Sequence, residues 1–141
     1  MKTRNIHIIL IAVLLSLLLF GCGSKEIELT GADKDAVLEF SEGKTDDLMT
    51  YMNNNDYLFF SQDFDDAMLK AMSQVQFDAL KKDRDAKLGL YVSREVSSVL
   101  QSGDFYVVVY TAKFEKDDNV TMRVVFHMED PHQIGGLWFN K

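Results

Sequence analysis

Gly89 separates two hydrophobic periods that one kind of backbone cannot satisfy. Before it, Val37, Phe40, Leu48, Tyr51 and Met52, and later Phe77, Leu80 and Leu88, recur mostly at three- and four-residue steps. After it, β-branched and aromatic residues alternate with polar ones. A helix brings positions three and four apart onto one face, whereas a strand does so for positions two apart. The first part is therefore expected to be helical and the second extended, with Gly89 at the left-handed position that ends a helix.

From Asp33 the pattern predicts a long helix, weakened in its middle by Gly43 and Lys44 and stopped at residues 53–56, where Asn and Asp tolerate turn backbone. Residues 57–60 read as a compact aromatic turn. Asp63 is placed to cap a short helix carrying Phe64, Ala67, Met68, Ala71 and Met72. Ser73 with Gln76 reads as a capping box for the helix that continues to Leu88. Four strands follow in hairpin succession, with turns at 102–104, 117–119 and 130–131. Tyr106, Val108, Tyr110, Ala112 and Phe114 share one face, as do Val120, Met122, Val124, Phe126 and Met128. The last strand, 133–140, offers Ile134, Leu137, Trp138 and Phe139, with Gly135 and Gly136 permitting a bulge or a close approach. The fold class expected is α+β, with N-terminal helices packed on a four-stranded antiparallel sheet.

The N-terminus has a separate logic. Lys2 and Arg4 precede thirteen residues, Ile8 to Phe20, whose only polar break is Ser16. As a helix that stretch measures ~20 Å, short of the ~30 Å hydrocarbon layer, so it reads as an export signal rather than a span. It ends in Leu19-Phe20-Gly21-Cys22, which resembles the lipobox of prokaryotic lipoproteins. In that family the cysteine is lipidated and becomes the new N-terminus. The resemblance implies a signal peptide at 1–21, an acylated Cys22 partnered with the lipid bilayer, a polar linker at 22–31 and a single domain at 32–141, on the outer side of the cell membrane. With one cysteine no intrachain disulfide can form, so that domain needs an ordinary packed core. Removing residues 1–21 takes Lys2 and Arg4 from the 15 cations and none of the 22 acids, leaving 13 against 22, a net charge of −9. Phosphate backbones need the opposite sign, so no nucleic-acid partner is expected.

The strings NNNDYLFFSQDF, GLYVSREV, YVVVYTAKFEK, VTMRVVF and GGLWF, in that order, resemble the domain of unknown function 3887 family. Its D-Y…F-S turn corresponds to Asp56, Tyr57, Phe60 and Ser61, its K-x-G-x-Y-V-S element to Lys87, Gly89, Tyr91, Val92 and Ser93, and its terminal G-L-W-F strand to residues 136–139. The resemblance covers about Asp33 to the end. It implies a nuclear transport factor 2-like fold, in which helices close over a curved sheet to form a cone with an internal pocket. Tyr57, Phe60, Tyr91, Tyr110 and Trp138 are surplus aromatics that such a pocket would use as lining.

Other constellations are weaker. Enzymes of that fold pair an aspartate base with Tyr and protonated Asp donors. Tyr51, Tyr57, Tyr91, Tyr106, Tyr110, Asp56, Asp63 and His127 have the right chemistry, but no spacing pairs a base with an oxyanion donor. His127, Glu129, Asp130 and His132 crowd a strand end, a pattern simpler as a solvated turn than as a metal site. Met49 with Met52 and Met68 with Met72 have core spacing. Residues 63–66 lack the glycine and glutamate of a calcium loop, and Lys81, Lys82, Arg84 and Lys87 alternate with acids as a solvated face does. Asn119-Val120-Thr121 is a glycosylation sequon on an expected hairpin turn. The reading is a membrane-anchored extracytoplasmic lipoprotein whose domain binds a small ligand or a protein, without catalytic residues, metal or cofactor. A small pocket enzyme and a structural dimerisation module are the alternatives.

Overall fold

The structure, a computed structural model, describes residues 24–141. The signal-peptide reading and Cys22 lie outside the described residues. The chain runs β1 (Ile27–Glu28), α1 (Gly31–Asn53), α2 (Tyr57–Phe60), α3 (Asp66–Ala71), α4 (Gln74–Lys87), β2 (Tyr91–Ser102), β3 (Phe105–Phe114), β4 (Asp117–His127) and β5 (Ile134–Asn140). Its strands form one antiparallel meander in the order β1-β2-β3-β4-β5. The α+β class holds, but the sheet has five strands rather than four. The added strand comes from the segment read as a linker. Ile27 and Glu28 pair with Gln101 and Leu100, and the Leu29 N–H donates to the Val99 carbonyl at 2.8 Å.

α1 is continuous through Gly43, and Val37, Ser41, Thr45, Leu48, Met49 and Met52 form its buried stripe. Two small polar residues, Ser41 and Thr45, occupy the middle of that stripe, where the helix faces the sheet. α1 lies antiparallel to β2: its early turns line a cleft with Gln101, Glu42 and Asp46 meet Arg94, and Asn53 exchanges hydrogen bonds with the Tyr91 backbone. The aromatic turn is the single-turn helix α2, capped by the Asp56 carboxylate on the Phe59 N–H. Asp65, not Asp63, caps α3, accepting from the Met68 N–H at 2.6 Å. Asp63 instead accepts from Lys44 at 2.6 Å. Ser73 holds the N-cap backbone of α4, but its side chain makes no capping bond. Gly89 takes φ +79°, the left-handed close expected after α4.

The strand faces follow the period-two reading. Val108, Tyr110, Ala112 and Phe114 of β3 and Val120, Met122, Val124 and Phe126 of β4 are fully buried under the helices, with Phe60, Phe64 and Phe77 completing the core. The turn expected at 117–119 falls earlier, at 115–116, because Phe114 pairs with Asp117 and closes the hairpin there. The ladder between β4 and β5 shifts register where Val125 faces Gly136 and Phe126 faces Ile134, which leaves Gly135 as the extra residue of a bulge. Gly136 serves the other purpose expected of this pair, since the Trp138 indole folds back over it on the outer face. No helix among the described residues is long and apolar enough to cross a membrane.

Candidate functional site

The five aromatics expected to line one pocket are dispersed. Phe60 and Tyr110 are core residues, 1% and 0% exposed. Tyr57 donates from its hydroxyl to the Met72 carbonyl at 2.8 Å and packs on Phe77. Tyr91 packs edge-on against Phe114 and accepts from Arg94 Nη1 at 3.1 Å. Trp138 is half exposed on the outer sheet face, in a groove with Arg123, Val125, Phe139 and Asn140 that is built from β4 and β5 alone.

A cleft of about 360 Å³ lies instead between the helical and sheet layers. Leu29 after β1, Ala36, Val37 and Phe40 of α1, and Tyr106 of β3 supply its apolar walls, while Asp33, Gln101 and His132 bring polar groups. These residues come from opposite ends of the sequence, and the meander gathers them because the β2–β3 turn, the start of α1 and the β4–β5 loop share one end of the sheet. Phe40 is the centre of the aromatic packing. It stacks on His132 at 3.8 Å with the planes 13° apart, meets Phe126 edge-on at 5.7 Å and lies 6.2 Å from Tyr106. His132 is held for that stack by a left-handed backbone, φ 55°, and by its Nδ1, which donates to the His127 carbonyl at 3.0 Å. A carbonyl can only accept, so Nδ1 carries the proton in this bond.

Beside the cleft, His127 Nε2 and Asp65 Oδ2 are 2.7 Å apart. Burial raises the Asp65 carboxyl, but the hydrogen bonds from His127 and from the Met68 N–H outweigh it and hold the group below its ordinary value. Gly135 makes room for the pair: a Cβ there would stand 3.2 Å from Asp65 Oδ2 and 3.7 Å from His127 Nε2. A second network crosses from α1 to the sheet. Tyr110 donates to Glu42 at 2.7 Å and lies 3.2 Å from the Thr45 hydroxyl, while Arg94 reaches Glu42 and Asp46 and places its guanidinium 5.1 Å from the Tyr110 ring centre. Burial pushes the Tyr110 phenol well above its usual range, and the Glu42 carboxylate adds to the effect against the opposing Thr45 bond. For Arg94 burial works against the charge, yet Asp46 and Tyr91 reverse it and raise the group.

Among the described residues no group of three or more His, Cys, Asp or Glu side chains is placed to hold a metal ion. His127, Glu129, Asp130 and His132 follow one another in sequence, but His127 turns to Asp65 and His132 to Phe40. Residues 45–137 match the family described as Protein of unknown function (DUF3887). The chain belongs to that family. The matched region holds the Asp65–His127 pair and, of the cleft, Gln101, Tyr106 and His132, while Leu29, Asp33, Val37 and Phe40 lie before it. No curated protein and no solved structure matches the chain.

Sequence reasoning missed Phe40 and His132 as neighbours, since they stand far apart in the chain and each has a simpler reading, one as a helix core position and the other as a turn. The positive φ of His132 is a strained position for a residue with a Cβ, and His132 follows a proline; no sequence pattern announced that it would stack on α1.

Proposed function

We propose that this protein is a lipid-anchored, extracytoplasmic binding module that holds a small ligand in the cleft between α1, β2 and β3. The observation that carries the reading is the cleft itself: it is open between the layers, while the interior beside it is filled by Phe60, Phe64, Phe77, Tyr110 and Phe126. Its volume falls within the ~300–1,000 Å³ of small-molecule sites, and its composition, apolar walls with a few polar groups, is the one such sites use to bury a ligand and fix its orientation. The anchor half of the reading is supported by the Leu19-Phe20-Gly21-Cys22 string and its charged, then apolar, approach. A nuclear transport factor 2-like arrangement, with helices over one face of an antiparallel sheet, is the fold reading we attach to it.

A role without turnover is supported by the way two carboxylates, though not the Asp33 that lines the cleft, are engaged by their neighbours. Asp65 is held by His127 and a backbone N–H, and Glu42 by Tyr110 and Arg94, so neither carboxylate stands free as a base. Native mass spectrometry of the chain purified from its own host tests the binding. A small molecule retained by the natural protein and lost from Phe40→Ala is the expected result. Two proteins that carry no mass beyond the chain and its covalent acyl groups contradict it.

A further inference from the structure

The first described residues turn the anchor from a loose tether into an orientation. Ser24 lies against the β2–β3 turn, with its hydroxyl 3.8 Å from where a Gly103 Cβ would stand. From there the chain leads directly into β1, and Glu26 is fixed to Arg123 by a 2.8 Å ion pair. Only Gly23 stands between Ser24 and Cys22, so the two Cα atoms are at most ~7 Å apart. Resting on the lipid-anchored reading above, we infer that the β2–β3-turn end of the domain is held on the bilayer surface and that the cleft at this end takes an acyl chain of a membrane lipid with an uncharged or zwitterionic headgroup.

Every wall of the cleft lies at that end. Gln101 and Tyr106 flank the turn, Leu29 follows β1, Asp33 to Phe40 open α1, and His132 sits in the β4–β5 loop. Ile27, 53% exposed, and Pro131 add exposed apolar surface beside it. Charge selects the headgroup. Glu28, Asp33, Asp104, Glu129 and Asp130 are exposed at this end and outnumber its cations, exposed Lys25 and half-buried Lys34, so the local charge is negative. The ~7 Å reach from Ser24 to Cys22 is shorter than the ~8–10 Å screening length at ordinary salt, so acids next to the tether, Asp104 beside the Gly103 that Ser24 touches among them, feel the lipid charge and disfavour an anionic surface.

The test reconstitutes the full acylated chain, extracted from its own membranes, into phosphatidylcholine vesicles bearing a photoreactive group on one acyl chain, and maps the adducts by peptide mass spectrometry. Adducts on residues 27–40 and 101–106, and none on the opposite turn at 115–116, are expected. A second protein with about twelve Gly and Ser residues inserted between Gly23 and Ser24 has a tether of ~20 Å, beyond the screening length, and its cleft adducts should be largely lost while it stays in the vesicles. Adducts that gather instead on Leu58, Phe59 and Val75, or a yield at the cleft that the insertion leaves unchanged, would overturn the inference. The intact mass of the same sample separates the two readings: acyl chains present with no cleft adducts overturns the orientation alone, whereas an unacylated chain overturns the anchor and the orientation together.

Discussion

The Asp65 carboxylate caps α3 through the Met68 N–H and pairs with His127 across 62 positions of sequence, so one side chain ties a helix start to the end of β4. Asp65→Ala should lower stability by about 1–2 kcal/mol, the range of a lost N-cap, as read by urea unfolding at pH 7. The pH dependence has a definite sign. A carboxyl held below its ordinary value stabilises the fold above the unfolded-state value of about 4, and that contribution disappears as pH falls through the lower folded value. Asp65→Asn should therefore show a shallower loss of stability between pH 5 and 2 than the natural protein, with both limits estimated from linkage; parallel curves would refute this. On the outer face a Gly136 Cβ would fall 2.1 Å from Trp138 Cη2, so Gly136→Ala must displace the indole. A shifted Trp138 fluorescence maximum with the far-ultraviolet circular dichroism unchanged is the expected outcome. The glycines were legible because their reasons are local: Gly89 ends a periodic helix, and Gly135-Gly136 interrupts a strand. Asp65 was not legible. Asp63, Asp65 and Asp66 offer the same chemistry, and Lys44, nineteen residues from Asp63, decides which of them is free to cap.

α1 is joined to the sheet by polar contacts as well as by its apolar stripe, and Arg94 is the most buried of their charged members, with its side chain 6% exposed. Its carboxylate partners are not buried, Glu42 being 41% and Asp46 67% exposed. Arg94→Met would let both return to water and would keep the apolar stem over Tyr110. The expected cost is therefore on the order of 1 kcal/mol, well below the ~3–5 kcal/mol that follows stranding a buried charge. A loss at the upper figure in thermal or urea unfolding would mean that the carboxylates are held more tightly than their exposure indicates. Elements with strong periodicity were legible, namely α1, α4 and the inward faces of β3 and β4. Those that depend on a neighbour were not. β1 has two residues and exists through its pairing with Leu100 and Gln101, so nothing within Ile27–Glu28 distinguishes it from a polar linker. The Ser73 capping box had the right letters, but the hydroxyl makes no such bond, and the adjacent Gln74 bonds Asp78 instead.

Across the whole molecule, the fold brings the start of the described chain, the β2–β3 turn, the start of α1 and the β4–β5 loop to one end, where the cleft lies. The class of fold was readable from period alone. The cleft was not, because its residues are drawn from positions 29 to 132 and meet only after the meander has closed. Surplus aromatics pointed to Tyr57, Phe60, Tyr91, Tyr110 and Trp138, whereas packing places Phe60 and Tyr110 in the core, sets Tyr57 and Tyr91 against it away from the cleft, leaves Trp138 on the outer face, and puts Phe40 and Tyr106 at the opening. The proposed binding at a membrane surface would give these features a common purpose, and that proposal depends on Cys22. The most direct test is the intact mass of the protein taken from its native membranes. The account predicts a chain beginning at Cys22 and heavier than its polypeptide by acyl groups; a free thiol at that position with residues 1–21 still attached would contradict it.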